Sequence, residues 1–288
     1  MKKKSVLITS ALVAALSVSS LTAFADNGKS DQQIPKTAVA ETTKANIKNN
    51  VQDNTLFQYS TINALMKGQF DGEMTLGELN KHGDTGLGTF NGVNGELTQL
   101  DGKFYRYTYD GKMLEVDKKE LTPFAVTTKF NATKVAKIKP VKDVNELNKQ
   151  LTDLITHKNN FYAFKIHGTF KTMKTRSEQK SVKPFPTLPE VLANQSVFET
   201  QNVKGTLIAF YTPNYAATIN VPGFHYHVIS DDKTKGGHVL NISFDAANVE
   251  IDEMGNLEVK LPQTGDFHDS DLTTVDPDDV HKVETDQQ

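Results

Sequence analysis

The chain has 288 residues, no cysteine and no tryptophan, and sets 35 Asp and Glu against 32 Lys and Arg for a formal net charge of −3. The missing cysteine excludes disulfides and thiolate metal sites, and the acidic balance argues against nucleic acid, whose phosphates favour a basic face. The length suffices for one large or two modest domains whose core stands without covalent staples.

Lys2, Lys3 and Lys4 precede an apolar run from Val6 to Ala23 that ends in the small-residue pattern Ala23-Phe24-Ala25. This predicts a signal peptide over 1–25, cleaved after Ala25, and hence a secreted, extracellular protein with no membrane anchor after cleavage. Residues 26–52 are polar, with hardly a large apolar side chain, and read as a flexible leader. Thr75, followed three residues later by Glu78, predicts a capped short helix from Leu76 to His82. From Gly83 to Phe130, glycines punctuate short runs rich in Thr, Tyr, Phe and Val, the pattern of a strand meander, with Asp101-Gly102 and Asp110-Gly111 as hairpin turns. Leu147, Leu151, Leu154 and Ile155 mark one face of a helix from Asp143 to Thr156.

Beyond it the pattern predicts a strand from Tyr162 to Phe170, a polar loop through Arg176, and a short helix from Leu188 to Gln195. Further strands are expected at Thr206 to Tyr211, Ala216 to Val221, His225 to Ile229 and His238 to Phe244. The expected fold is α+β: two sheet-rich halves with mixed or antiparallel sheets and a few short helices. The first half spans 53–160, and the second, 161–288, carries the metal site and an acidic tail.

His225 and His227 stand at i and i+2, so in a strand both imidazoles leave by the same face. Ser230 to Gly237 is turn chemistry, and a hairpin centred between Asp232 and Lys233 sets His238 directly across from His227. Three imidazoles then converge as zinc ligands of a catalytic site. Read alone, the same residues are also compatible with a solvated His pair and a hairpin histidine bonded to backbone.

The run Gly223 to Leu240 resembles the metal-binding signature of the bacterial α-acetolactate decarboxylases, and the likeness extends over nearly all of the chain after the signal peptide. Supporting stretches in order are Gly83-Asp84-Thr85-Gly86-Leu87-Gly88-Thr89-Phe90, Gly95-Glu96-Leu97, Leu100-Asp101-Gly102, Thr122-Pro123-Phe124-Ala125, Ile166-His167-Gly168-Thr169-Phe170 and Arg176-Ser177. The resemblance implies decarboxylation of 2-acetolactate, a small 2-hydroxy-3-oxo acid, to acetoin and CO2, by way of an enediolate stabilised by Zn2+. It assigns His225, His227 and His238 as ligands, Glu96, Arg176 and Glu284 as catalytic residues, and Thr89 with Arg176 as substrate-binding. It also implies a homodimer. One departure is Val93-Asn94 before Gly95-Glu96, where the family often has Leu-Asp; Asn94 keeps a small polar turn former there.

Two other readings compete. A secreted zinc hydrolase would use a metal-bound hydroxide with Glu96 as base, although the His-Glu-x-x-His helix of many proteases is absent. A metal or carbohydrate binder would turn over nothing. Release of acetoin, lost on chelation, marks the decarboxylase; a hydrolase would release neither acetoin nor CO2.

Overall fold

Turn chemistry lays down the first sheet. Residues 54–275 and 277–284 are described in the computed structural model, so the expected signal peptide and leader lie outside the described residues. In chain order the first elements are β1 (Thr55–Tyr59), α1 (Ile62–Met66), β2 (Met74–Thr75), α2 (Leu76–His82), β3 (Thr85–Thr89), β4 (Glu96–Leu100), β5 (Lys103–Tyr107), β6 (Met113–Glu115), β7 (Leu121–Thr122), β8 (Ala125–Thr128), β9 (Lys134–Ile138) and α3 (Val144–Thr152). Asp101 and Gly102 take φ of 51° and 73° between β4 and β5, the left-handed pair that a two-residue hairpin demands. At α2, the Glu78 amide donates to Thr75 Oγ1 at 3.1 Å while the Glu78 carboxylate accepts from the Thr75 amide at 3.4 Å, the reciprocal cap expected from Thr75 and Glu78. Asp143 caps α3 by accepting from the Glu146 amide at 2.8 Å.

The remaining elements are β10 (Phe161–Ser177), α4 (Leu188–Leu192), β11 (Ser196–Thr212), a single 3₁₀ turn (Asn214–Ala216), β12 (Gly223–Ser230), β13 (Gly236–Phe244), β14 (Ala247–Met254), β15 (Asn256–Lys260), α5 (Gly265–Asp269) and α6 (Pro277–Glu284). The first sheet runs β15-β1-β8-β3-β4-β5-β6, and the second β11-β12-β13-β10-β14-β9. A further pairing of β11 with β10 closes β10, β13, β12 and β11 on themselves as a small barrel. The fold is α+β, with antiparallel pairs throughout except for the parallel join of β1 to β15. The two sheets exchange strands across residue 160: β9 belongs to the second and β15 to the first.

Two expectations are corrected. The stretch through Arg176 is not a polar loop but the second half of β10, which pairs with β11 as far as Ser177. Register shifts between Phe170 and Thr172 and between Lys174 and Thr175 break its alternation, so its apolar period does not show in the sequence. The expected strand from Ala216 to Val221 is instead a turn, since the Ala217, Ile219 and Asn220 amides bond back to the Asn214 and Ala216 carbonyls.

Alternation along β12 decides what faces what. Tyr226 and Val228 enter the barrel core with Leu207, Ala209, Val239 and Leu147 of α3. His225 and His227 point the opposite way, toward the first sheet. On that side Ile208 and Phe210 of β11 pack against Leu56, Leu87 and Val126 of the first sheet. Burying these apolar side chains at about 25 cal/mol per Å² fixes the facing of the two sheets, and the site lies in the seam.

Candidate metal centre and active site

His227 and His238 are direct cross-strand neighbours, as the hairpin arithmetic requires, and His238 is in turn the neighbour of Arg176 on β10. Directly opposed residues project to the same face. One row across three strands therefore presents Arg176, His238 and His227 together, with His225 two residues along β12. Gly237 makes room for the row: its φ is +112°, and a Cβ there would lie 2.6 Å from the Arg176 carbonyl and 2.8 Å from the Tyr107 ring.

The three imidazoles are buried, and one ring nitrogen from each lies within 4.8 Å of the others. Backbone partners set the tautomers of two of them. His227 donates from Nδ1 to the Leu97 carbonyl at 2.7 Å, leaving the Nε2 lone pair aimed into the site. His238 donates from Nε2 to the Glu284 carbonyl at 3.1 Å, leaving its Nδ1 lone pair 3.1 Å from His225 Nε2. Burial holds all three rings in the neutral, ligating form: it lowers the His227 pKa to about 4, and those of His225 and His238 well below the usual range.

The first sheet and the chain end bring the carboxyls. Glu96 opens β4, paired with Thr89 of β3, whose hydroxyl donates to the Gly95 carbonyl at 2.8 Å and so pins the turn before Glu96. Glu96 Oε2 stands 3.1 Å from His227 Nε2. Burial, opposed mainly by the Arg176 charge, raises the Glu96 pKa to about 7. Glu284 arrives on α6, which docks through Val280 and Val283 onto the cluster containing Leu65, Leu188 and Leu192. Its Oε2 lies 3.5 Å from His225 Nε2 and 3.6 Å from His238 Nδ1, with no hydrogen-bond partner. Arg176 reaches all of this: Nε is 3.7 Å from Glu96, Nη2 is 3.7 Å from Glu284, and Nη1 donates to the Val283 carbonyl.

All seven residues singled out in the sequence thus meet in one place. An eighth was missed. Glu178 is 4 % exposed, lines the same cavity, and sits 3.4 Å from Arg176 Nε. Arg176-Ser177-Glu178 is an i, i+2 spacing that shares one face in a strand, a signal hidden by reading the segment as a loop. Leu65, Val93, Phe124, Leu188 and Leu192 form the apolar wall opposite, around a cavity of about 30 Å³.

The donor set fits a zinc-type ion. Nitrogens of three neutral imidazoles converge, the 3.1 Å separation of His225 Nε2 and His238 Nδ1 matches an edge of a small coordination polyhedron, and the partnerless His227 Nε2 and Glu284 Oε2 are buried polar atoms that such an ion would satisfy.

The sequence model of the family described as alpha-acetolactate decarboxylase matches residues 56–274. The chain belongs to this family. It is 48% identical over 285 residues to the alpha-acetolactate decarboxylase of Brevibacillus brevis, a match covering 99% of each chain. To that of Methanosarcina mazei it is 39% identical over 238 residues, 83% of this chain and 82% of the relative. The crystal structure of alpha-acetolactate decarboxylase from Bacillus subtilis strain 168 superposes with a TM-score of 0.77 at 34% identity, covering 80% of this chain and 98% of that one.

Proposed function

We propose that the chain is a secreted, zinc-dependent decarboxylase that converts 2-acetolactate to acetoin and CO2, with His225, His227 and His238 holding the ion. The observation that carries this reading is the meeting of three neutral imidazoles with Glu96, Glu284 and Arg176 in one buried pocket of a chain of this family. A bound zinc ion supplies the electron sink for the pair left on carbon when CO2 departs.

The chain's own residues do the rest. Arg176 presents its terminal nitrogens to the substrate carboxylate and holds it over the site until the carbon–carbon bond breaks. The reaction consumes one proton: CO2 leaves neutral, and the carbon that carried it gains a hydrogen. Glu96, with a pKa of about 7, is partly protonated at neutral pH and suits that donation, after which water restores its proton. Thr89, its proton committed to Gly95, offers lone pairs to the substrate hydroxyl. The apolar wall takes the two methyl groups and excludes water.

Export follows from the expected signal peptide over 1–25, and a homodimer is the expected assembly. Acetoin formation from racemic 2-acetolactate by the chain lacking residues 1–25, as purified, after chelation and after zinc is restored, tests the reading. Activity that disappears and returns with the metal supports it. A folded, zinc-loaded protein that forms no acetoin overturns it and brings the hydrolase reading forward.

A further inference from the structure

Glu178 has no task in the reaction as described, yet its burial is costly. A third carboxyl in a pocket that already holds two must be compensated by a specific contact, because removing a charge from water is expensive. Its charged neighbours include the Glu96 carboxyl and the Arg176 guanidinium, and Arg176 is the one of opposite charge within ion-pair distance. Glu178 lies two residues beyond it, just past the end of β10, with Oε1 at 3.4 Å from Arg176 Nε, an ion-pair separation in which neither atom makes a hydrogen bond. Glu96 also faces Nε, but at the longer distance of 3.7 Å, with its other oxygen 3.1 Å from His227 Nε2. The backbone beside Glu178 is anchored where Ser177 Oγ donates to the Tyr107 carbonyl at 2.6 Å.

We propose that Glu178 is a positioning residue that holds Arg176 by its Nε edge, so that Nη2 faces the bound substrate's carboxylate. The guanidinium is then gripped at both ends: Glu178 restrains Nε, and the Val283 carbonyl of α6 accepts from Nη1. Nη2, near Glu284, is the donor turned to the pocket. A planar fork recognises a carboxylate only in a fixed plane. Without Glu178, Nε can turn toward Glu96 or Glu284, and the fork leaves that plane.

This inference rests on the decarboxylase reading, and its test keeps the two apart. The zinc-loaded chain and its Glu178→Ala, Glu178→Asp and Glu178→Gln variants are compared by kcat and KM for 2-acetolactate. Calorimetric binding of 2-hydroxy-2-methylpropanoate, which keeps the hydroxyl and carboxylate but has no ketone and cannot lose CO2 the same way, is measured alongside. Glu178→Ala is expected to raise KM and weaken analogue binding by about tenfold or more while kcat stays within about threefold, the size of a lost charge-assisted contact. Glu178→Gln, whose amide oxygen still accepts from Nε, should return both to within about threefold of wild type, with Glu178→Asp between the two. Unchanged KM and analogue affinity in the Ala and Asp variants would overturn the proposal, as would a fall in kcat alone, which would put Glu178 in the chemistry. If Glu178→Ala fails to fold, Glu178→Asp carries the same comparison. Wild-type protein that binds the analogue but forms no acetoin defeats the decarboxylase reading and leaves Glu178 to be judged by binding.

Discussion

Replacing Asp252 by Asn tests the electrostatics of the fold away from the active site. Asp252 lies on β14 with no exposure to solvent; Oδ2 accepts from the Asn131 amide at 3.1 Å, and Oδ1 has no partner. Burial, helped by the charge of Asp84 and opposed by the Asn131 amide and Lys165, raises its pKa from 3.8 to about 6. A carboxyl whose folded pKa lies above its unfolded one favours folding fully below the unfolded value, and this contribution is lost as pH rises through the folded value. Two pKa units at about 1.4 kcal/mol each make the loss about 3 kcal/mol between pH 4 and pH 7. Other groups titrate over the same range, so the quantity to measure is the difference between wild type and Asp252→Asn, by urea unfolding at each pH. The variant keeps an acceptor for Asn131 and cannot ionise. Its stability relative to wild type should therefore rise by about 3 kcal/mol from pH 4 to pH 7. A difference that is the same at both ends would refute the reasoning.

Further outcomes follow from the site. His227→Ala should abolish stoichiometric zinc, read by elemental analysis, and remove the upward shift in melting temperature that zinc gives the wild type, worth about 3 kcal/mol at a hundredfold excess over Kd. Glu96 as proton donor requires its protonated form, which burial favours, so kcat should fall as pH rises through the Glu96 pKa; Glu96→Gln should lower kcat by roughly 10²–10⁴ and flatten that limb. Val280, the fully buried residue on the docked face of α6, anchors that helix; Val280→Asp should undock Glu284 and cost at least tenfold in kcat, with far-ultraviolet circular dichroism nearly unchanged because both sheets lie outside α6.

What could be read in advance was whatever the chain specifies locally. The cap of α2 uses Thr75 and Glu78 three positions apart, and the pairing of His227 with His238 follows from one hairpin. Family likeness groups Arg176 with the histidines, and the structure sets it beside them on a strand rather than the expected loop; two register shifts in β10 erase the period that marks a strand. Glu178 went unnoticed for the same reason. The two-residue turn at Asp101-Gly102 was visible, whereas the strand exchange that puts β15 beside β1 was not, since parallel pairing leaves no local turn signal. Glu284 was reached only through the resemblance: α6 has a weak apolar stripe, and no spacing in it points to three histidines elsewhere.

That strand exchange also governs how the molecule comes together in time. Thr55 pairs with Asn256, and the pocket draws on positions 96, 176, 225 to 238 and 284. Such distant pairings close large loops before any contact rewards them, which places the chain among slow folders on the millisecond-to-second scale. A refolding chain should regain strand signal from its local hairpins first, and zinc affinity and turnover only once α6 has docked. The lag between those signals measures the search for the final topology.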